Sequence, residues 1–278
     1  MRARRLRLLA KATIAGAQRL DPSRFGLAGA GREDGPVAFV AVYRLRHAHR
    51  VVDLVQQLGP HVTVRLWSLD EPADSLATWT VGVGPGTRFQ LLNRLIATIP
   101  EPLRRRGLIV SDDDYGFTVG GLAELVAAGP LLDLDVWQPA HGRTSFANFA
   151  FLRRRAGVVI RQTTFVEQGP VLVLSARAQG VLLPLPEDIG MGWGVEVRWA
   201  PLVAQHGLRL GIVDALAIRH LPPTGGYDRD VEAAQLRALL DEAGLEAVED
   251  LQQEVSRVGL RAVVRLRRGQ GRPATSRP

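Results

Sequence analysis

The chain has 278 residues, of which 46% are hydrophobic, and it contains no cysteine. That size and composition suit one large domain with a substantial core, and they exclude disulfides and thiolate metal sites, so any metal must take oxygen or imidazole ligands. The net charge of +7 is almost all arginine, Lys11 being the only lysine. Much of it is terminal: Arg2, Arg4, Arg5 and Arg7 at the start, Arg265, Arg267, Arg268, Arg272 and Arg277 at the end.

Residues 1–36 read as a basic lead-in that ends in a glycine-rich linker, with no secretory signal. Ordered alternation then begins. Residues 37–43 form an apolar, β-branched run that suits a buried strand. Val51, Leu54, Val55 and Leu58 recur at helical spacing until Gly59 and Pro60 stop them. Strands are expected over 62–69 and 78–83, followed by a Gly-Pro-Gly turn. Thr87 then caps a helix running from Arg88 to about Ile99. A further strand, 107–111, runs straight into Asp112, Asp113 and Asp114. This order of strands and helices predicts a mainly parallel sheet flanked by helices, in which ligands bind beyond the carboxyl ends of the strands.

Downstream, a helix is expected near 119–128 and strands near 135–138 and 158–165. Residues 170–179 read as turning into a helix, 184–194 as a loop, and 195–205 as a helix that breaks or restarts at Pro201. A strand over 210–218 leads to His220. Residues 228–240 and 245–255 read as two polar helices ahead of a disordered tail. The expected organisation is a lead-in (1–36), one α/β domain (37–227) and C-terminal helices with a basic tail (228–278).

Three consecutive carboxylates at a strand end repel one another unless a cation or donors compensate. Mg²⁺ or Mn²⁺ suits such a place, since these hard cations take one or two carboxylates together with phosphate oxygens. In the segment GMGWGVE, glycines allow close backbone approach, and Trp193 offers a flat apolar surface to a sugar or base. Glu196, at a helix start, can serve as a general base towards an acceptor hydroxyl. His220, following an apolar strand, is a candidate metal ligand. Each feature also has a plainer reading: a solvated acidic turn, a core tryptophan beside a first-turn charge, and a hydrogen-bonded polar histidine.

Taken in order, the aspartate cluster, the Gly-Trp-Gly-x-acid segment and the strand with a trailing histidine resemble the glycosyltransferase A (GT-A) superfamily. The stretch GMGWGVE, LGIVDALAIRH and PPTGG is also similar to the glycosyltransferase-like domain family of unknown function 707. The resemblance spans about 37–227 and implies a single GT-A-like, Rossmann-like domain. It further implies a metal-dependent glycosyltransferase, of inverting type if the base is Glu196 and otherwise open to a retaining mechanism, moving a sugar from a nucleotide-sugar donor to a glycan or other hydroxyl acceptor in cell-surface polysaccharide or glycoconjugate synthesis. Asp114 and Asp112 match the ends of the Asp-x-Asp motif, and with His220 they are the implied ligands of Mn²⁺ or Mg²⁺. Glu196 matches the catalytic base, and the pair Glu187 and Asp188 offers a competing base. Tyr43, Arg44, Asp70, Arg88, Asn93, Asp112, Asp113 and Trp193 are the implied donor contacts.

Two other functions fit the same residues. One is a metal-dependent phosphohydrolase or nucleotidyltransferase, against which stands the lack of a second dense acidic and histidine set. The other is a non-catalytic nucleotide-sugar or glycan-binding module. Nucleic acid is not an expected partner, because the charge is terminal and interleaved aromatics are missing. The expected location is cytoplasmic, with peripheral contact to the inner membrane face through the basic termini left open.

Overall fold

A computed structural model describes residues 36–59, 61–222 and 228–259. The basic lead-in, most of the PPTGG stretch and the basic tail lie outside these residues. Ten strands are described: β1 Val37–Tyr43, β2 Thr63–Ser68, β3 Thr80–Val83, β4 Gly107–Ser111, β5 Tyr115–Val119, β6 Val136–His141, β7 Val158–Thr163, β8 Val171–Leu174, β9 Leu210–His220 and β10 Glu254–Gly259. The α-helices are α1 Ala48–Gln56, α2 Arg88–Ala97, α3 Leu122–Ala128, α4 Ala176–Leu182, α5 Val195–His206 and α6 Arg229–Ala243.

The core follows from the alternation of side chains along β1, all seven residues of which are buried. Phe39, Ala41 and Tyr43 pack with Val51, Leu54 and Val55 of α1 on one face. Ala38, Val40 and Val42 pack with Phe89, Leu91, Leu92 and Leu95 of α2 on the other. A strand covered on both faces has no polar side to alternate, which is why this run reads as continuously apolar.

The strands form one sheet in the order β10-β7-β9-β6-β8-β4-β1-β2-β3, with β5 pairing β9 off this path. The run β4-β1-β2-β3 is parallel, as is the pair β6-β9. β8 lies antiparallel between β4 and β6, while β7, β10 and β5 add further antiparallel pairs. The expectation of a mainly parallel sheet is therefore corrected to a mixed sheet with a parallel core.

Several elements differ from the sequence reading. Residues 170–179 supply β8 before any helix: the run VLVL is fully buried between β4 and β6. The helix starts only after Ser175, whose Oγ accepts the Ala178 N–H. α5 continues through Pro201 without restarting. β9 extends to His220, so the histidine sits inside the strand. Instead of a helix over 245–255, a short 3-10 turn leads into β10, an edge strand on β7. Only one edge of β10 is paired and its side chains are largely exposed, so burial left little pattern to read. β5 was not expected at all. No described helix is long and apolar enough to cross a membrane.

Candidate active site

The site lies where the carboxyl ends of β4, β6 and β9 meet the segment entering β8. β4 delivers the three aspartates, and their short polar run ends in β5, which turns back along β9. In that pairing Tyr115 stands opposite His220, and Leu221 N–H donates to the Asp114 carbonyl at 2.8 Å. This antiparallel pairing brings Asp114 Oδ1 to 3.2 Å from His220 Nε2. Burial alone pushes Asp114 up, but the hydrogen bond and charge of His220 outweigh it and hold the carboxyl below its ordinary value. Burial pulls His220 down, and the Asp114 contact more than reverses this.

The three aspartates have different surroundings. The side chains of Asp112 and Asp114 keep 27% and 25% exposure, against 8% for Asp113. Asp113 is taken up within the protein: its Oδ2 accepts the Arg44 N–H at 2.7 Å and its Oδ1 faces His47 Nδ1 at 3.2 Å. Asp112 Oδ1 accepts from Arg88 Nε and lies 2.6 Å from Arg88 Nη2. Burial raises Asp112 to about 6 despite Arg88, helped by the neighbouring Asp114 charge.

Arg88 is buried and also donates to Gln168 Oε1. The Gln168 main-chain N–H donates to Glu196 Oε1 at 2.8 Å. Burial pushes Glu196 up to about 7, with the Gln168 hydrogen bond and the Arg88 charge pulling the other way. A carboxyl poised near neutrality within this cluster has the protonation behaviour a general base needs. The site thus joins Arg88, Asp112, Asp114, Glu196 and His220.

Other residues named from the sequence stand outside this cluster of five. Asp188 is an exposed partner of Arg198 at 2.7 Å, and that hydrogen bond lowers it, which is the opposite of a base poised near neutrality. Asn93 braces the loop before α5, bonding both Leu185 backbone groups and Glu187 Oε1 at 2.9 Å. The Tyr43 hydroxyl is tied to Thr80 Oγ1 and the Ala73 N–H. Asp70 accepts the Leu45 N–H at 2.8 Å just beyond β1. Trp193 is half-buried, between Gly192 and Gly194, both with positive φ.

Sequence reasoning missed His141, Glu167 and Gln168. His141, at the end of β6, packs edge-on to His220 at 6.1 Å between ring centres. Its Nδ1 lies 2.7 Å from the Phe146 carbonyl, which only accepts, so Nδ1 carries the proton there. Glu167 accepts from Asn148 Nδ2 at 2.6 Å, and burial raises it to about 7. Ser145 Oγ accepts the His220 N–H at 2.9 Å, fixing the histidine backbone. His141 and Ser145 lie beyond the strand expected near 135–138, and Glu167 and Gln168 fall between the segments expected over 158–165 and 170–179, where isolated polar residues carried no recognisable spacing.

Among the described residues no three His, Asp or Glu side chains converge as a ready-made metal cage. The Asp114–His220 pair nevertheless fits a divalent cation. Adjacent ligands of an octahedral ion bonded at about 2.1 Å stand about 3 Å apart, and Mg²⁺-type ions complete their shell with substrate phosphates and water. The 3.2 Å separation matches that spacing, and both side chains retain some exposure.

No protein-family model and no curated protein sequence matches this chain, so the narrower resemblance to the family of unknown function 707 is without support. Solved structures do match. A structure of GalNAc-T7 with UDP, GalNAc and Mn²⁺ aligns with a TM-score of 0.52 at 11% identity, over 75% of this chain and 50% of that one. S. aureus TarS, residues 1–349, aligns with a TM-score of 0.50 at 9% identity, over 77% and 66% respectively. The chain therefore spans about half the length of the first and just under two thirds of the second. At these identities the likeness is one of fold alone.

Proposed function

We propose that the chain is a metal-dependent glycosyltransferase that uses a nucleotide-sugar donor. The observation that carries the reading is the convergence of Asp114 and His220, 3.2 Å apart, with Asp112 and a near-neutral Glu196 linked through Arg88 and Gln168. A fold shared with GT-A glycosyltransferases supports it, as does the Mn²⁺ in one of those structures.

In this reading Asp114 and His220 hold Mn²⁺ or Mg²⁺, with Asp112 beside them. The ion would neutralise charge on the departing diphosphate. Arg88 keeps Asp112 oriented and balances part of the carboxylate charge. Glu196 accepts the proton of an acceptor hydroxyl as that oxygen bonds to the anomeric carbon. The bond from this carbon to the phosphate oxygen breaks, and the nucleoside diphosphate leaves with its electron pair. One displacement of this kind inverts the anomeric centre. Arg44, Asp70 and Trp193 are the proposed walls for the nucleotide and sugar, and the acceptor is a glycan or another hydroxyl compound.

The test is thermal stabilisation by UDP, GDP and TDP with and without Mn²⁺, together with release of nucleoside diphosphate from their sugar conjugates. A Mn²⁺-dependent shift for one nucleotide that is lost in Asp114→Ala supports the donor site. Turnover accelerated by a glycan acceptor supports transfer. Cleavage indifferent to every acceptor favours a phosphohydrolase, and binding without turnover favours a non-catalytic module.

A further inference from the structure

The segment 167–170, between β7 and β8, touches both halves of the site. It is held from the β6 side, where Glu167 N–H donates to Gln138 Oε1 at 2.6 Å. On the other side, Pro170 O accepts the Asp112 N–H at 2.7 Å. Gly169 lies so close to Asp112 that an added Cβ would meet Oδ2 at 3.0 Å. Between them Gln168, 3% exposed, uses two groups in two directions. Its main-chain N–H holds Glu196 Oε1, and its side-chain Oε1 accepts from Arg88, whose other nitrogens grip Asp112.

We propose that Gln168 is a positioning residue that couples the base Glu196 to the Arg88–Asp112 pair, so that base and donor aspartate keep one fixed separation. The proposal rests on the glycosyltransferase reading above. The physical need is local. Glu196 sits in the first turn of α5, behind Gly192 and Gly194 with φ of +100° and +85°. The carboxylate accepts from its own main-chain N–H and from the Gln168 peptide, and the latter ties it to the segment packed against Asp112. That peptide is itself tethered by a side chain reaching Arg88. Losing the Arg88 contact leaves the segment held only through Glu167 and Pro170 and lets the Gln168 peptide shift between them, and a displacement on the order of 1 Å at a reacting group costs up to about a hundredfold in rate.

The experiment compares the full chain with Gln168→Leu and Gln168→Glu. Leucine removes the acceptor for Arg88 but keeps the main-chain N–H, whereas glutamate keeps an acceptor. Release of nucleoside diphosphate to water is followed with UDP-glucose, UDP-N-acetylgalactosamine, GDP-mannose and TDP-glucose plus Mn²⁺, at about pH 8.5, well above the value of about 7 of Glu196 in the native chain. The expected result for Gln168→Leu is a kcat lower by about tenfold or more, with the donor KM within about twofold of native. Gln168→Glu should recover kcat to within about threefold. Thermal melting is recorded for all three. An unchanged kcat in Gln168→Leu, in a native chain that turns over donor, overturns the proposal alone. Equal losses of kcat and of melting temperature in both variants do the same, because they mark a packing residue. A native chain that neither binds these nucleotides with Mn²⁺ nor releases diphosphate overturns the underlying reading, and this proposal with it.

Discussion

Replacing Glu196 by glutamine keeps the shape of the side chain and its ability to accept the Gln168 N–H, while removing its charge. In the folded protein this carboxyl moves from 4.5 to about 7, chiefly through burial. At about 1.4 kcal/mol per pH unit, ionising it there costs at most about 3 kcal/mol more than in the unfolded chain. The folded state holds the proton more tightly. The contribution to stability is therefore full below about pH 4.5 and is lost as the pH rises through about 7. Glutamine has no such loss. Glu196→Gln should thus match the native protein near pH 5 and exceed it near pH 8, by up to about 3 kcal/mol. Glu167, also raised to about 7, is present in both proteins, and because the Glu196 charge helps raise it, losing that charge adds to the difference in the same direction. Urea unfolding at the two pH values reads this directly, provided the slopes agree. Native turnover should rise with pH through about 7, and the variant should lose about 10²- to 10⁴-fold while still binding donor. A stability difference that is flat between pH 5 and 8, or turnover within tenfold of native, refutes the argument.

Asp114→Asn and His220→Gln should each abolish Mn²⁺-dependent stabilisation by the cognate nucleotide. In the native chain that stabilisation reaches about 2.7 kcal/mol at a hundredfold excess over Kd, and Mn²⁺ binding by electron paramagnetic resonance checks the metal separately. Asp188→Asn should leave turnover and melting temperature near native, since Asp188 is an exposed partner of Arg198; a large loss of turnover would move the base away from Glu196. Arg161 and Asp214 form a fully buried ion pair at 2.7 Å. Arg161→Met strands the carboxylate and should destabilise by about 3–5 kcal/mol in urea unfolding. Gly192→Ala places a side chain at φ +100° and within 2.9 Å of the Phe89 ring. It should cost about 1–3 kcal/mol in stability and lower turnover by disturbing the approach to Glu196.

Much of the fold was legible because burial leaves a periodic mark. The continuous apolar run of β1, the helical spacing of α1 and α2, and the strand that ends in the aspartates all follow from two-sided or one-sided packing. The candidates Asp112, Asp114, Glu196 and His220 were likewise visible, because chemistry-bearing residues stood at element ends beside glycine or apolar runs. Where burial was brief or partial, the pattern failed. β8 is only four residues long, too short to tell from the start of a helix, and β10 is a largely exposed edge.

The arrangement of the site belongs to the tertiary structure. β5 was invisible in sequence, yet its pairing with β9 sets Asp114 against His220 across more than a hundred residues of chain. The three adjacent aspartates have different partners only in the fold, where the Arg44 N–H just beyond β1 takes Asp113 and Arg88 takes Asp112. Gln168 and Glu167 gained their places only when β8 entered the sheet antiparallel, carrying the segment before it to the carboxyl ends of β4 and β6. By itself the sequence determined which segments bury and which residue types are available for chemistry, since both are local properties of side chains. Which of those residues meet depends on strand order and direction, and these are decided by contacts between segments far apart in the chain.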